Sequence, residues 1–220
     1  MFRTFLDRLK CPMSEKVFLE LSYLLAARRS ELCTKVTPWE SEHQTTKPYG
    51  VMLSWELQNY VKPDGQSIKL LLIKSAIAKQ KKKQKDEEAA PQTLKVKTKI
   101  VPIICHPDYE PFCIDLLKWI AKKKKLQFNF TGQTASNIVK RNLRRLDPRI
   151  HHHSLRHYRI NHLIRNYNFN PYQISAYVGW SLKGVFGSMG MAASSNLDIY
   201  SHLSWQDYLP KLMVPIKSVL

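Results

Sequence analysis

"IHHHSLRHYRINHLIRNY", residues 150–167, holds five histidines and three arginines in eighteen positions, with no Asp, Glu or Cys among them. Two chemistries compete for such a window. Three adjacent histidines suggest a metal, yet successive side chains point in different directions, and converging on one ion would require a strongly distorted backbone. Zinc sites use spacings that bring ligands to one face, often with acidic or thiolate partners. The other grouping is His153-x-x-Arg156, an imidazole and a guanidinium about one helical turn apart on one face. That pair suits an anion such as phosphate. Alone it is also compatible with solvated surface charge, and His151 and His152 read as exposed polar residues ahead of a helix.

Composition narrows the partner. The chain has 220 residues and 44% hydrophobic content, enough for a substantial core in one domain or two small ones. Its 35 Lys and Arg against 17 acids give a net charge of +18. A surplus of that size favours a polyanion, nucleic acid ahead of an anionic membrane. No apolar run approaches the length of a transmembrane helix, and no charged and apolar leader precedes a cleavage site. The expectation is a soluble, cytoplasmic, DNA-associated protein without a membrane partner. Cys11, Cys33, Cys105 and Cys113 form no C-x-x-C pair, which fits reduced thiols used in packing.

Outward from the opening window, residues 14–33 read as a helix capped by Ser14, with Val17, Phe18, Leu21, Leu24, Leu25 and Leu32 on one stripe. Arg28 falls within that stripe and Glu31 sits three residues on. An arginine aimed at a core is costly unless paired or facing a ligand, so Arg28 is either an internal ion pair with Glu31 or an anion-binding group. Val51, Leu53, Trp55 and Leu57 alternate with polar residues, "KPDGQS" at 62–67 supplies turn chemistry, and "IKLLLIK" at 68–74 is a more buried strand. "AKQKKKQKDEEAAPQ", 78–92, is a charged low-complexity insertion. Leu94, Val96, Thr98 and Ile100 then alternate with Lys95, Lys97 and Lys99, which predicts a third strand with a wet, basic face able to touch DNA. Helices are expected at 111–125, 131–146, from the H-S-L-R-H segment onward, at 171–179 ending on Gly179, and in the last segment, with 181–196 as a loop. Arg156 heads the stripe formed with Ile160, Leu163, Ile164 and Tyr167. Two inward arginines from separate helices can grip one buried anion.

These pieces resemble the tyrosine recombinases, or phage-type integrases, in the family's own order. The family's G-L-R-x-x-E-L segment corresponds to "AARRSEL" (26–32), and its lysine-bearing sheet hairpin to residues 68–103. H-x-L-R-H appears as "HSLRH" (153–157), G-H or G-W as "GW" (179–180), and the late tyrosine as "IYSH" (199–202). The similarity spans about residues 14–210 and is nearest in pattern to integrases of archaeal viruses and plasmids. It implies a mainly α (α+β) fold, a helical catalytic domain with a small three-stranded antiparallel sheet. Residues 1–220 would be a single C-terminal catalytic domain: helical over 1–45, a sheet with a flexible insertion over 50–103, and helical over 104–220. The family's upstream core-binding domain would be absent.

Carried over residue by residue, the resemblance makes Arg28 and Arg156 the phosphate-binding arginines, with Glu31 orienting the first. His153 would be the base, Trp180 would stand where the family has His or Trp, and Tyr200 would be the nucleophile. Lys74, ending the second strand, best matches the catalytic lysine, with Lys95 second. The chemistry needs these types. A phosphodiester under attack gains charge on its non-bridging oxygens, which guanidinium forks stabilise bidentately, and tyrosine needs that field and a nearby base. The reaction implied is integrase activity through a 3′-phosphotyrosyl intermediate, with no cofactor, metal or ATP. The partner would be double-stranded DNA at a specific attachment site, with self-association into dimers or tetramers on it. A non-catalytic DNA-binding module is the alternative. Two departures stand out: Ala26 and Ala27 replace the family's Gly-Leu, a change a helix would tolerate, and the gap from Trp180 to Tyr200 is about twice the family's usual length.

Overall fold

A run of residues buried without interruption from Val17 to Leu24 defines the helix around which the chain packs. A helix apolar on nearly every side belongs in the middle of a fold. The computed structural model describes residues 2–29, 31–34, 52–76, 96–106, 109–122, 128–179 and 203–214. Within these, the central helix is α2 (Met13–Leu24), preceded by α1 (Phe2–Asp7). Strands β1 (Met52–Val61), β2 (Ser67–Ala76) and β3 (Val96–Ile103) follow, and then helices α3 (Cys113–Lys122), α4 (Gly132–Leu143), α5 (His152–Tyr167), α6 (Pro171–Val178) and α7 (Trp205–Met213). The architecture is mixed α+β with one three-stranded antiparallel sheet, as expected, in the order β1-β2-β3. Among the described residues no helix is long and apolar enough to cross a membrane.

Helix α2 departs from the sequence reading at both ends. Pro12, not Ser14, is its N-cap, and it stops at Leu24 instead of running to residue 33. Ala26 adopts φ +46°. Its amide donates to the Tyr23 carbonyl at 2.9 Å and the Ala27 amide to the Ser22 carbonyl at 2.9 Å, the paired bonds of a Schellman ending. That position favours glycine, because a Cβ in the left-handed region meets the following carbonyl. Ala26 therefore lies in the turn that ends the helix, not within it, and Arg28 lies beyond the helix, not on its stripe.

The sheet has two working faces. Leu71, Ile73, Val101 and Ile103 join the main core with α2 and α5, while Ile68, Leu70 and Leu209 form a second cluster against α7, flanked by Trp205. The register pairs Ile73 with Lys99 and Ser75 with Lys97, so those two lysines share the inward face. Val96 and Thr98 are the exposed set. The expected wet, basic face of β3 is thus turned toward the core. Stretches 78–92 and 181–196, read as insertion and loop, lie outside the described residues.

Local signals fix the later helices. Thr131 caps α4 by accepting from the Thr134 amide. His151 caps α5 in a reciprocal arrangement with Ser154, and Asn170 caps α6 with Pro171 in its first turn. His152, expected to be exposed, is buried against Phe18, with its Nε2 3.3 Å from Ser22 Oγ. Of the four thiols, Cys33 and Cys113 are buried, and among the described residues none of the four forms a disulfide.

Two stability predictions follow from this core. Ala26→Gly relieves the strained φ and should raise unfolding free energy by about 0.5–1 kcal/mol in denaturant titration, once glycine's extra flexibility is subtracted. The second concerns Glu20, a buried carboxyl on α2. Burial lifts it to about 8, Lys16 offsets this in part, and Asp7 and Asp115 add to the rise. The folded state then holds the proton more tightly than the unfolded chain. The resulting stabilisation is fully present below the ordinary value of 4.5 and is lost as pH rises through about 8. Glu20→Gln should remove a loss on the order of 3 kcal/mol between about pH 5 and pH 9, read from denaturant melts across that range.

Candidate functional site

The last carbonyls of an α-helix lack intrahelical donors and sit at the negative end of its dipole. At the end of α2 three successive carbonyls are taken by three different elements. Tyr177 Oη of α6 donates to the Leu24 oxygen, Lys99 Nζ of β3 to the Leu25 oxygen, and Arg156 Nη1 of α5 to the Ala26 oxygen at 2.6 Å. The chain then folds back on itself. The Arg28 amide donates to Glu31 Oε2 at 3.0 Å and its guanidinium to Oε1 at 2.9 Å. Lys97, two residues before Lys99, donates to the Gly179 carbonyl at the end of α6.

Arg28, Glu31, Lys97, Lys99 and Arg156 are close enough to interact electrostatically. Burial opposes ionisation of Glu31, but Lys99, the Arg28 amide and guanidinium, and Arg156 together hold the carboxyl below its ordinary value. Burial pulls Lys99 down to about 7, opposed by Glu31 and assisted by Arg156, Lys97 and Arg28. Lys97 is lowered by burial and by the two arginines. Arg156, only 1% exposed, is lowered by burial to about 10 and so remains charged near neutrality. Four cationic side chains therefore face one carboxylate. A cluster with that surplus is chemically able to hold an anion, and a cavity of about 180 Å³ beside it is lined by Lys97, Lys99, Gly179, Ser204 and Trp205.

The sequence-predicted residues divide cleanly. Arg28, Glu31 and Arg156 are brought together. Arg28 keeps 43% of its side chain exposed against 14% for Glu31, so it is ion-paired and still open to a ligand. His153 lies on the exposed side of α5, its ring 4.5 Å from that of His157. Partial burial, His157, Arg156, His151 and Arg28 all lower its pKa, which leaves a neutral imidazole able to accept a proton. Lys74 is not part of the cluster: it pairs with Thr98 on the opposite face of the sheet and is exposed. Lys97 and Lys99, expected only to brush DNA, occupy the inward positions instead. Lys95, Trp180 and Tyr200 lie outside the described residues.

Sequence reasoning missed the layer behind this cluster. Arg159 and Glu110 form an ion pair with each side chain 2% exposed. Arg159 also donates to Tyr177 Oη from Nε at 3.2 Å and from Nη2 at 2.9 Å, and Tyr167 Oη donates to Glu110 at 3.1 Å. Tyr23, Tyr167 and Tyr177 present their rings to the guanidinium at 5.6, 5.8 and 5.3 Å. Burial opposes the charge on Arg159, and Glu110 with the phenol oxygens more than restores it. The available signal was the spacing of His152, Leu155, Arg156, Arg159, His162 and Leu163 on one face of α5, with Arg159 in the middle of it.

No group of three or more His, Cys, Asp or Glu suited to a metal occurs among the described residues. Compared with protein-family models, curated proteins and solved structures, the chain finds no significant match. One substitution tests the lysine geometry directly. Gly179 has φ +74°, and a Cβ there would meet the Lys97 ammonium well inside contact distance. Gly179→Ala should lower the thermal midpoint and expel the Lys97 amine, seen as faster acylation of Lys97 by mass spectrometry.

Proposed function

We propose that this chain is the catalytic domain of a site-specific DNA recombinase of the tyrosine recombinase type, cutting and rejoining DNA through Tyr200. The observation that supports this best is the gathering of Arg28, Arg156, Lys97 and Lys99 around Glu31 at the end of α2. The order of these groups along the chain is that of the family the sequence resembles. In this reading Arg28 and Arg156 fork onto the non-bridging oxygens of the scissile phosphate, which gain charge in the transition state. The Tyr200 oxygen attacks phosphorus, and neutral His153 accepts the phenolic proton. The bond from phosphorus to the 5′-oxygen breaks, and that oxygen takes a proton. The product is a 3′-phosphotyrosine and a free 5′-hydroxyl. Attack by a 5′-hydroxyl reverses the step, so bond energy is kept without ATP or a metal.

The proton donor is Lys97 in place of Lys74. Lys97 is partly buried, lowered in pKa and beside both arginines, whereas Lys74 faces away from them. Trp180 follows directly on Gly179, whose carbonyl Lys97 holds, and takes the family's His-or-Trp position. The substrate is duplex DNA at a specific attachment site, with two or four copies of the chain assembling on it.

A pool of nicked duplexes with randomised sequence tests the reading, with covalent adducts captured on a denaturing gel and sequenced. Wild-type protein should form an adduct in excess chelator, mapped to Tyr200, and Tyr200→Phe should form none. Arg28→Ala or Arg156→Ala should slow adduct formation by about 3 kcal/mol of barrier, by analogy with loss of one oxyanion donor. On the recovered sequence, a 5′-bridging sulfur, whose departure needs no proton, should rescue Lys97→Ala and leave Lys74→Ala indistinguishable from wild type. Duplex binding without any adduct would instead identify a non-catalytic DNA-binding module.

A further inference from the structure

Arg159 is a buried guanidinium that the proposed chemistry does not use. A fully buried guanidinium must find partners for its charge and donors. It finds Glu110 on one side and the Tyr177 hydroxyl on the other. Tyr177 in turn donates a hydrogen bond to the Leu24 carbonyl, the first of the three that end α2. The next two carbonyls hold Lys99 and Arg156. The ring of Tyr177 also lies under the Lys99 ammonium at 5.9 Å. A continuous chain of polar contacts thus runs from Glu110 through Arg159 and Tyr177 to the turn that carries the anion-binding cations.

We infer that Arg159 and Tyr177 are positioning residues for that site, fixing the final turn of α2 so that Lys99 and Arg156 are held in register. The inference rests on the recombinase reading for its kinetic consequence but not for its geometry. Tyr177 reaches no group that would touch DNA except through Leu24 and Lys99. Arg159 acts through the Tyr177 hydroxyl, to which it donates from both Nε and Nη2. Without that hydroxyl, Leu24 loses a donor and Arg159 an acceptor, and the turn is freed to move away from β3. Lys99 is then rehydrated and its pKa rises, because burial is what chiefly lowers it; Glu31 opposes that lowering, and Arg156, Lys97 and Arg28 add to it.

The test uses the full chain as wild type, Tyr177→Phe and Arg159→Lys. Tyr177→Phe keeps the ring and removes one oxygen. Arg159→Lys keeps the charge for Glu110 but has no fork to span both partners. Isotope-coded acetic anhydride is applied across a pH series, and Lys99 acylation is followed by peptide mass spectrometry with exposed Lys118 as the internal reference. Wild-type Lys99 should titrate near 7. In Tyr177→Phe its midpoint should rise by at least one pH unit, in Arg159→Lys by less, and Lys118 should not move. On the selected duplex, single-turnover adduct formation by Tyr177→Phe should fall at least tenfold while the duplex Kd stays within twofold. A Tyr177→Phe protein that melts earlier yet keeps the wild-type Lys99 profile would reduce the pair to a structural role and overturn the inference. Wild-type Lys99 titrating like Lys118 would overturn it too. If the wild type forms no adduct, the recombinase reading fails, and the labelling profiles still decide this one.

Discussion

Helix α2 ends where its hydrogen-bond ladder runs out, and the way its orphan carbonyls are satisfied organises the rest of the molecule. Helix ends inside proteins are commonly finished by local side chains or by water. Here the donors come from β3, α5 and α6, elements far along the chain. A helix C-terminus attracts cations, so Lys99 and Arg156 gain from the same dipole, and the turn after the helix adds the Arg28–Glu31 pair beside them. The positive cluster is thus tied to backbone atoms of the most buried helix, and its geometry inherits the rigidity of the core.

Behind the cluster lies a second polar layer whose cost is of a different kind. A buried ion pair such as Arg159–Glu110 contributes little net stability after desolvation, although removing one partner alone is severe. Its surroundings satisfy most of its polar atoms, with Glu110 Oε2 the exception among the described residues. Three aromatic rings face the guanidinium, and two phenols bond the ends of the pair. Such a network tolerates few alternative arrangements. Uniqueness of position, more than stability, is what this layer supplies to the end of α2.

Much of the fold was legible in the sequence because local chemistry and periodicity agreed. The hairpin of β1 and β2 around "KPDGQS", the cap of α4 at Thr131 and the end of α6 at Gly179 all carry their signals within a few residues. Arg28, Glu31 and Arg156 were legible through their order and spacing. The misreadings have physical causes. Alanine is the best helix former, so nothing local announces that Ala26 sits in the left-handed region. In β3, Val96, Thr98 and Ile100 look like the inward set, but pairing with β2 turns Lys97 and Lys99 inward, and a one-residue difference in register reverses every side chain. The same register sends Lys74 to the outer face. Arg159 and Glu110 are 49 residues apart, and no periodicity links them.

The gathering of Arg28, Lys97, Lys99 and Arg156 also bears on how the chain folds. These residues come from three distant parts of the sequence, so their meeting requires contacts that close long loops, which form slowly. Each arriving cation meets the field of those already present, with Glu31 as the opposing charge among the described residues. Apolar burial around α2, in a core shared with β3 and α5, is what offsets that repulsion. Mobile ions that shorten the range of this repulsion ease the closing step. The same ions weaken the hold of any such cluster on a polyanion, so under the proposed function the salt that best helps this protein to fold is the salt in which it would grip least.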